Sequence, residues 1–201
     1  MNTRRLFFYI LVALAFIFCL VPFFWLLVTS LKSNDRIYSL PISYLSLNPS
    51  LDAYKNIIFN EQFLRYILNS LAIAVLTTVV CLFFAALASY AIARLKLRYK
   101  VIVQFSLIIA SIFPQIIFLV PLYELISRLR LMNNPLGLLL PYVAFSLPLA
   151  VWVLVGFFKT IPKEIEEQAM VDGFSRLNIL RKIILPLSWP ALATTAILIF
   201  I

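Results

Sequence analysis

Apolar positions along this chain do not alternate with polar ones. They come in long unbroken runs separated by short charged segments. Counted between charges, the runs are Leu6–Leu31 (26 residues), Tyr66–Ala93 (28), Val101–Tyr123 (23), Leu131–Phe158 (28) and Ile183–Ile201 (19). About 20 residues of helix cross the hydrocarbon core of a bilayer, so the first four are long enough to span it. The pattern predicts an all-α membrane protein with helices over approximately 6–31, 63–93, 101–127, 135–158 and 187–201. A soluble core would need several helices apolar on every face and almost no solvated surface. Pro114 and Pro121 predict kinks in the outer half of the third helix, because a proline removes a backbone donor and crowds the carbonyl one turn back. Pro141 and Pro148 lie in the fourth. Only 15 residues follow Pro186, a reach of about 22 Å against a core of roughly 30 Å. The fifth helix is therefore expected to end inside the membrane, and the chain to be truncated at its C-terminus.

Two polar segments interrupt this pattern. Lys32–Glu61, with Pro41 and Pro49, is too short for a domain and is expected to hold one short helix near Leu51–Phe59. Pro162–Leu185 reads PKEIEEQAMVDGFSRLNILRKIIL and closes on Pro186. Pro162 suits the first position of a helix, where its missing N–H had no intrahelical partner. Glu164, Glu166 and Glu167 follow in the first turns, where carboxylates offset the positive helix end. Gly173 is expected to end that helix in the left-handed conformation. Ser175 is expected to cap a second short helix carrying Arg181 and Lys182, which should stop by Pro186. The segment is a compact helix–turn–helix at the membrane face, suited to docking into a partner's groove.

Composition agrees with the runs. The chain is 64% hydrophobic and 12% charged, against roughly 45–50% and 25% in soluble domains. With the N-terminus inside, cytoplasmic segments hold Arg4, Arg5, Arg94, Lys96, Arg98, Lys100, Lys159, Lys163, Arg176, Arg181 and Lys182. The other side holds Lys32, Arg36, Lys55, Arg65, Arg128 and Arg130, a split of 11 to 6. Positive residues accumulate on the cytoplasmic side, which puts Pro162–Leu185 in the cytoplasm and Lys32–Glu61 outside. The net charge of +9 is mostly this topology signal, and no basic domain points to nucleic acid. The first run is too long for a signal-peptide core of about 7–15 residues, so it counts as a membrane helix. Cys19 and Cys81 lie within membrane runs and read as packing residues, not as a disulfide or metal pair.

The chemistry available is narrow. There is no histidine, which removes imidazole-based catalytic and zinc motifs. The three glycines, Gly137, Gly156 and Gly173, do not have phosphate-loop spacing. The chain is therefore not its own ATPase; it is expected to be no enzyme and to need no cofactor or metal. Gln104, Gln115, Tyr142 and Ser146 are candidate pathway-lining residues, with interhelical hydrogen bonding the commoner role for such groups. Two readings of different class remain from the residues: a permease driven by a separate ATPase through the polar helix pair, and an ATP-independent channel or ion-coupled carrier whose polar loop is a solvated connector. Carriers of the second kind usually keep ionisable groups in their membrane helices, although broken helices can bind ions through carbonyls.

The string Glu167-Gln168-Ala169-Met170-Val171-Asp172-Gly173, nine residues, then Ile183-Ile184-Leu185-Pro186 resembles the EAA loop of ABC importer permeases. Gln168 replaces the first alanine of that pattern, and bulky Phe174 follows the glycine where a small residue is usual. Asn69-Ser70-Leu71, Phe113-Pro114-Gln115, Val120-Pro121-Leu122-Tyr123 and Gly156-Phe157-Phe158-Lys159-Thr160-Ile161-Pro162 are similar to the carbohydrate-uptake, maltose-type branch. The resemblance implies a type I ABC importer transmembrane fold with six helices, of which about five are present. It implies a single permease domain over 1–201, with a cytoplasmic coupling loop at 160–186. Glu167, Ala169, Asp172, Gly173, Ile183, Leu185 and Pro186 are then the ATPase-coupling residues. The implied partners are a second permease subunit, a cytoplasmic ATP-binding subunit dimer, an extracytoplasmic solute-binding protein and the lipid bilayer. The implied function is half of a translocation pathway for sugars in a bacterial cytoplasmic membrane, working by alternating access.

Overall fold

The computed structural model describes residues 3–37 and 49–201; Pro41 lies outside them. The chain divides into two compact units, Met1–Ile67 and Leu68–Ile201. The boundary falls inside one long helix.

In the first unit, α1 (Thr3–Ser30) runs through Pro22 without ending. Its phenylalanines, leucines and isoleucines are exposed around the whole circumference from Leu6 to Leu27, as a helix facing lipid tails requires. A short α2 (Asn34–Ile37) and α3 (Asp52–Ile58) follow. The Ser50 N–H donates to the carbonyl of Leu31 at 2.9 Å, and the hydroxyls of Ser30 and Tyr54 meet at 2.6 Å, so α3 folds back on the end of α1. Asn60 starts α4 (Glu61–Arg94): its Oδ1 accepts from the N–H groups of Gln62 and Phe63 at 2.9 and 3.2 Å. Those donors would otherwise have no partner at a helix start.

The second unit begins on α4. Cys81, Ala85, Ser89 and Ala93 recur every fourth residue on one face of that helix and are all buried. Small side chains at this spacing let another helix backbone come close, which is how helices associate without a hydrophobic driving force. Ser89 Oγ donates to the carbonyl of Val151 at 3.1 Å. Val151 lies on α7 (Leu136–Thr160), a continuous helix despite Pro141 and Pro148. Its buried face, Ala150, Val151, Leu154, Val155 and Phe158, forms the centre of the apolar core. α7 packs against α5 (Lys100–Ile112) and α11 (Trp189–Phe200).

Two expectations about prolines are corrected. The third apolar run is not one helix with kinks. α5 ends at Ile112, a single 3-10 turn spans Gln115–Phe118, and α6 (Leu119–Arg128) leaves at 86° to α5. Phe113 is extended, with ψ of 133°, because the ring of Pro114 excludes the residue before it from helical geometry. Pro121 sits in the first turn of α6, where a missing donor costs nothing. The second correction concerns Pro186. The polar segment does not stop there: α9 (Arg176–Ile179) passes through a π-type turn at Leu180–Ile184 into α10 (Leu185–Leu187). The Leu185 N–H reaches back to the carbonyl of Leu180. That wider turn accommodates the proline ring. The helix breaks instead at buried Ser188, where α11 departs at 81°. Among the described residues three helices are long and apolar enough to cross a membrane, or five if each bent pair is one span.

Candidate functional site

α8 (Lys163–Val171) and α9 form a hairpin built around one turn. The Phe174 N–H donates to the carbonyl of Ala169 at 2.9 Å and the Gly173 N–H to that of Met170 at 3.1 Å. This pair of bonds is the Schellman closure, which uses up the last carbonyls of a helix and needs a left-handed residue at its centre. Gly173 supplies it with φ of +83°. A side chain there would meet no atom within 4 Å, so the demand for glycine comes from the backbone alone. Ser175 caps α9 by accepting from the Asn178 N–H at 3.4 Å.

The hairpin has an inner and an outer face. Ala169, Ile179, Leu180 and Ile184 belong to the buried core, with Ile165, Phe174, Ile183 and Leu185 packed against it. Phe174, the bulky residue after the glycine, therefore turns inward; Lys182 covers its ring with Nζ 5.5 Å from the centroid. Glu167, Asp172 and Pro186 stay exposed. Beside them project apolar side chains, Val171 at 88% exposure and Leu177 at 65%, with Met170 next to them. Of the seven expected coupling residues, Ala169, Ile183 and Leu185 pack inward and Gly173 shapes the turn. Glu167, Asp172 and Pro186 face outward.

The inner face contains a polar joint that sequence reasoning missed. Arg94, the last residue of α4, has a side chain only 3% exposed and sits 2.7 Å from Oε1 of Glu166 on α8 through its Nε. Its Nη2 donates at 2.6 Å to the carbonyl of Phe158 and at 2.6 Å to that of Ile161. Those are carbonyls at the C-terminal end of α7, which attract cations. Tyr90, one turn before Arg94, donates to Oε2 of Glu166 at 3.3 Å. The contact of Nε with Oε1 is an ion pair by distance and not a well-directed hydrogen bond. Read from the sequence, Arg94 counts as an orientation charge and Glu166 as a carboxylate at a helix start. Nothing local joins residues 76 positions apart, the separation of Tyr90 and Glu166.

The four candidate pathway residues are divided. Gln115 and Ser146 line one cavity of about 170 Å³ with Phe145, Leu149 and Thr195. Gln104 lines a separate open groove of about 610 Å³ beside Trp152, Gly156 and Lys159. Tyr142 borders neither. Among the described residues no cluster of histidine, cysteine or carboxylate side chains has metal-binding geometry, and Cys19 and Cys81 are free thiols.

Comparison with known proteins agrees with this geometry. Residues 82–201 match the family described as binding-protein-dependent transport system inner membrane component. The chain is 37% identical over 182 residues to the sulfoquinovosyl glycerol transport system permease protein SmoH of Agrobacterium fabrum, covering 90% of this chain and 64% of that protein. It is 36% identical over 187 residues to the trehalose/maltose transport system permease protein MalG of Thermococcus litoralis, covering 92% and 66%. The chain thus spans about two thirds of the length of these relatives. The crystal structure of a bacterial ABC transporter involved in import of the acidic polysaccharide alginate superposes with a TM-score of 0.81 at 24% identity, over 100% of this chain and 71% of that one. That likeness shows the fold. The chain belongs to the family of inner membrane components of binding-protein-dependent transport systems.

Proposed function

We propose that this membrane-embedded chain is a permease subunit of an ATP-driven, binding-protein-dependent importer of sugars. It supplies half of the translocation pathway and couples to a separate ATPase dimer through 160–186. The observation that carries this reading is the outer face of the α8–α9 hairpin. Val171, Leu177 and Met170 project beside Glu167 and Asp172 from the only charge-rich helix pair of the second unit. Large apolar side chains rimmed by charge on a rigid turn suit a protein groove. A solvated connector between membrane helices has no use for them. The names of the two relatives, one for sulfoquinovosyl glycerol and one for trehalose and maltose, support a glycoside or disaccharide as the solute. Gln115, Ser146 and Phe145 around one cavity offer the amide, hydroxyl and aromatic groups that such a solute engages.

The partners in this proposal are a second permease subunit, the ATP-binding dimer and an extracytoplasmic solute-binding protein, in a bacterial cytoplasmic membrane. The N-terminus and both segments 94–100 and 159–182 face the cytoplasm, on the strength of the 11 to 6 split of basic residues and the positive-inside tendency. The mechanism is alternating access: ATP closes the ATPase dimer, the hairpin follows it, and the membrane helices reorient. A nucleotide shifts such an equilibrium only through its differential affinity for the two states.

The test is reconstitution of the complete protein with its ATPase, partner permease and binding protein in liposomes. Uptake of labelled trehalose, maltose or sulfoquinovosyl glycerol should require both ATP and the binding protein. Uptake that proceeds without ATP, or follows an ion gradient, overturns the proposal. Orientation is tested separately with single cysteines at Arg98 and Leu51 in a background lacking Cys19 and Cys81. An impermeant thiol reagent on intact cells should label position 51 and spare position 98.

A further inference from the structure

α8 is attached to the membrane helices in an unusual way. Only Glu166 and Ala169 of its nine residues are buried, so apolar packing alone holds it weakly. Its firmest tie is Glu166, and both carboxylate oxygens of Glu166 are taken by α4: Oε1 by Arg94 at 2.7 Å and Oε2 by Tyr90 at 3.3 Å. The same guanidinium binds the end of α7 through the carbonyls of Phe158 and Ile161. Arginine suits this task because its planar fork can serve several acceptors at once from a buried position. The chain itself already joins α8 to α7 through Ile161–Pro162. What Arg94 adds is a third element, α4, which is far away in sequence.

We propose that Arg94 is a positioning residue that makes α4, the end of α7 and α8 move as one body, so that displacement of the docking hairpin reaches α4 directly. The inference rests on the coupling role proposed above for the hairpin. An ion pair of this kind is poor evidence for stability, since well-packed apolar replacements are often as stable. Its value lies in fixing one arrangement. A merely structural role would be satisfied by an apolar replacement pair; a positioning role would not.

Arg94→Met alone removes the ion-pair partner of the buried Glu166 carboxylate and can fail to fold, so the decisive variants are Arg94→Met/Glu166→Met and Arg94→Lys. Lysine keeps the charge, but its single ammonium cannot reproduce the fork across two carbonyls and a carboxylate. Two readouts are taken on the complete protein. The first is the electron-spin distance distribution between labels at Leu87→Cys on α4 and Glu164→Cys on α8, both exposed positions, in a background lacking Cys19 and Cys81, measured on the permease in nanodiscs. The second is the ratio of solute-stimulated to unstimulated ATP hydrolysis in the assembled transporter. The distribution should be narrow in the parent and broad in both variants. The stimulation ratio should fall about tenfold in the double variant, within the usual range of coupling between sites, and less in Arg94→Lys. A double variant with the parent's narrow distribution, or with its full stimulation ratio, overturns the proposal. If the distribution broadens but the parent protein recruits no ATPase, the joint stands and the transport reading falls.

Discussion

α7 and α8 adjoin in the chain, yet they are held by opposite means. α7 is fixed by shape: Ala150, Val151, Leu154, Val155 and Phe158 lie in the core, and two internal prolines do not break it. α8 is fixed by charge, through one carboxylate caught by an arginine and a tyrosine of α4. Packing among lipid-embedded helices rests on van der Waals contact and the close approach of small residues. A buried ion pair with accompanying hydrogen bonds is costly to break from one side. α7 thus spreads its hold over many packed side chains, whereas α8 concentrates its hold on one carboxylate.

The largest effect should come from breaking the charged joint on one side only. Arg94→Met strands a buried carboxylate and should cost about 3–5 kcal/mol, whereas Arg94→Met/Glu166→Met should cost far less. Thermal unfolding of the purified complete protein in detergent reads both, and equal losses for the two would show that charge is irrelevant to the joint. Next comes the shape-fixed helix. Leu154 is fully buried, and Leu154→Ala should cost about 2–4 kcal/mol through the cavity it leaves. The same melting measurement applies, and a neutral result would mean that α7 is held by something other than packing. Gly173 is intermediate. Gly173→Val should cost about 1–2 kcal/mol through the left-handed backbone alone, and Gly173→Asn less, since asparagine tolerates that region better. Parent-like ATPase binding and uptake by Gly173→Val would remove the turn from the coupling argument. Smallest is the cap: Ser175→Ala should cost about 0.5–1 kcal/mol, at the low end because the bond is long at 3.4 Å. Hydrogen exchange at Asn178 is the sensitive probe, with faster exchange expected.

Features written in neighbouring residues were legible beforehand. The apolar runs predicted helices, Gly173 predicted a left-handed turn and Ser175 a cap, because each depends on the chemistry of a few adjacent positions. The prolines were only half legible. A proline states what its own nitrogen and the residue before it cannot do, and this placed the break at Phe113. It does not say whether a wider turn will absorb the conflict, as the π-type turn before Pro186 does. Nor does it give an angle, so a predicted kink became an 86° turn. The joint at Arg94 was illegible for a different reason. Every arginine at the end of a membrane run looks like an interfacial anchor, and only the folded chain shows that this one points inward to Glu166.

The turn at Gly173 also has a genetic consequence. Its φ of +83° disfavours every side chain, with asparagine, aspartate and histidine the most tolerated. From a glycine codon ending in a pyrimidine, a single-nucleotide change yields alanine, valine, serine, cysteine, arginine or aspartate; asparagine and histidine lie two changes away. Aspartate is then the one readily accommodated neighbour, and it would set a second carboxylate beside Asp172. Random mutagenesis of Gly173 encoded by such a codon should therefore return aspartate among its active variants far more often than alanine or valine, although both of those are smaller or less polar.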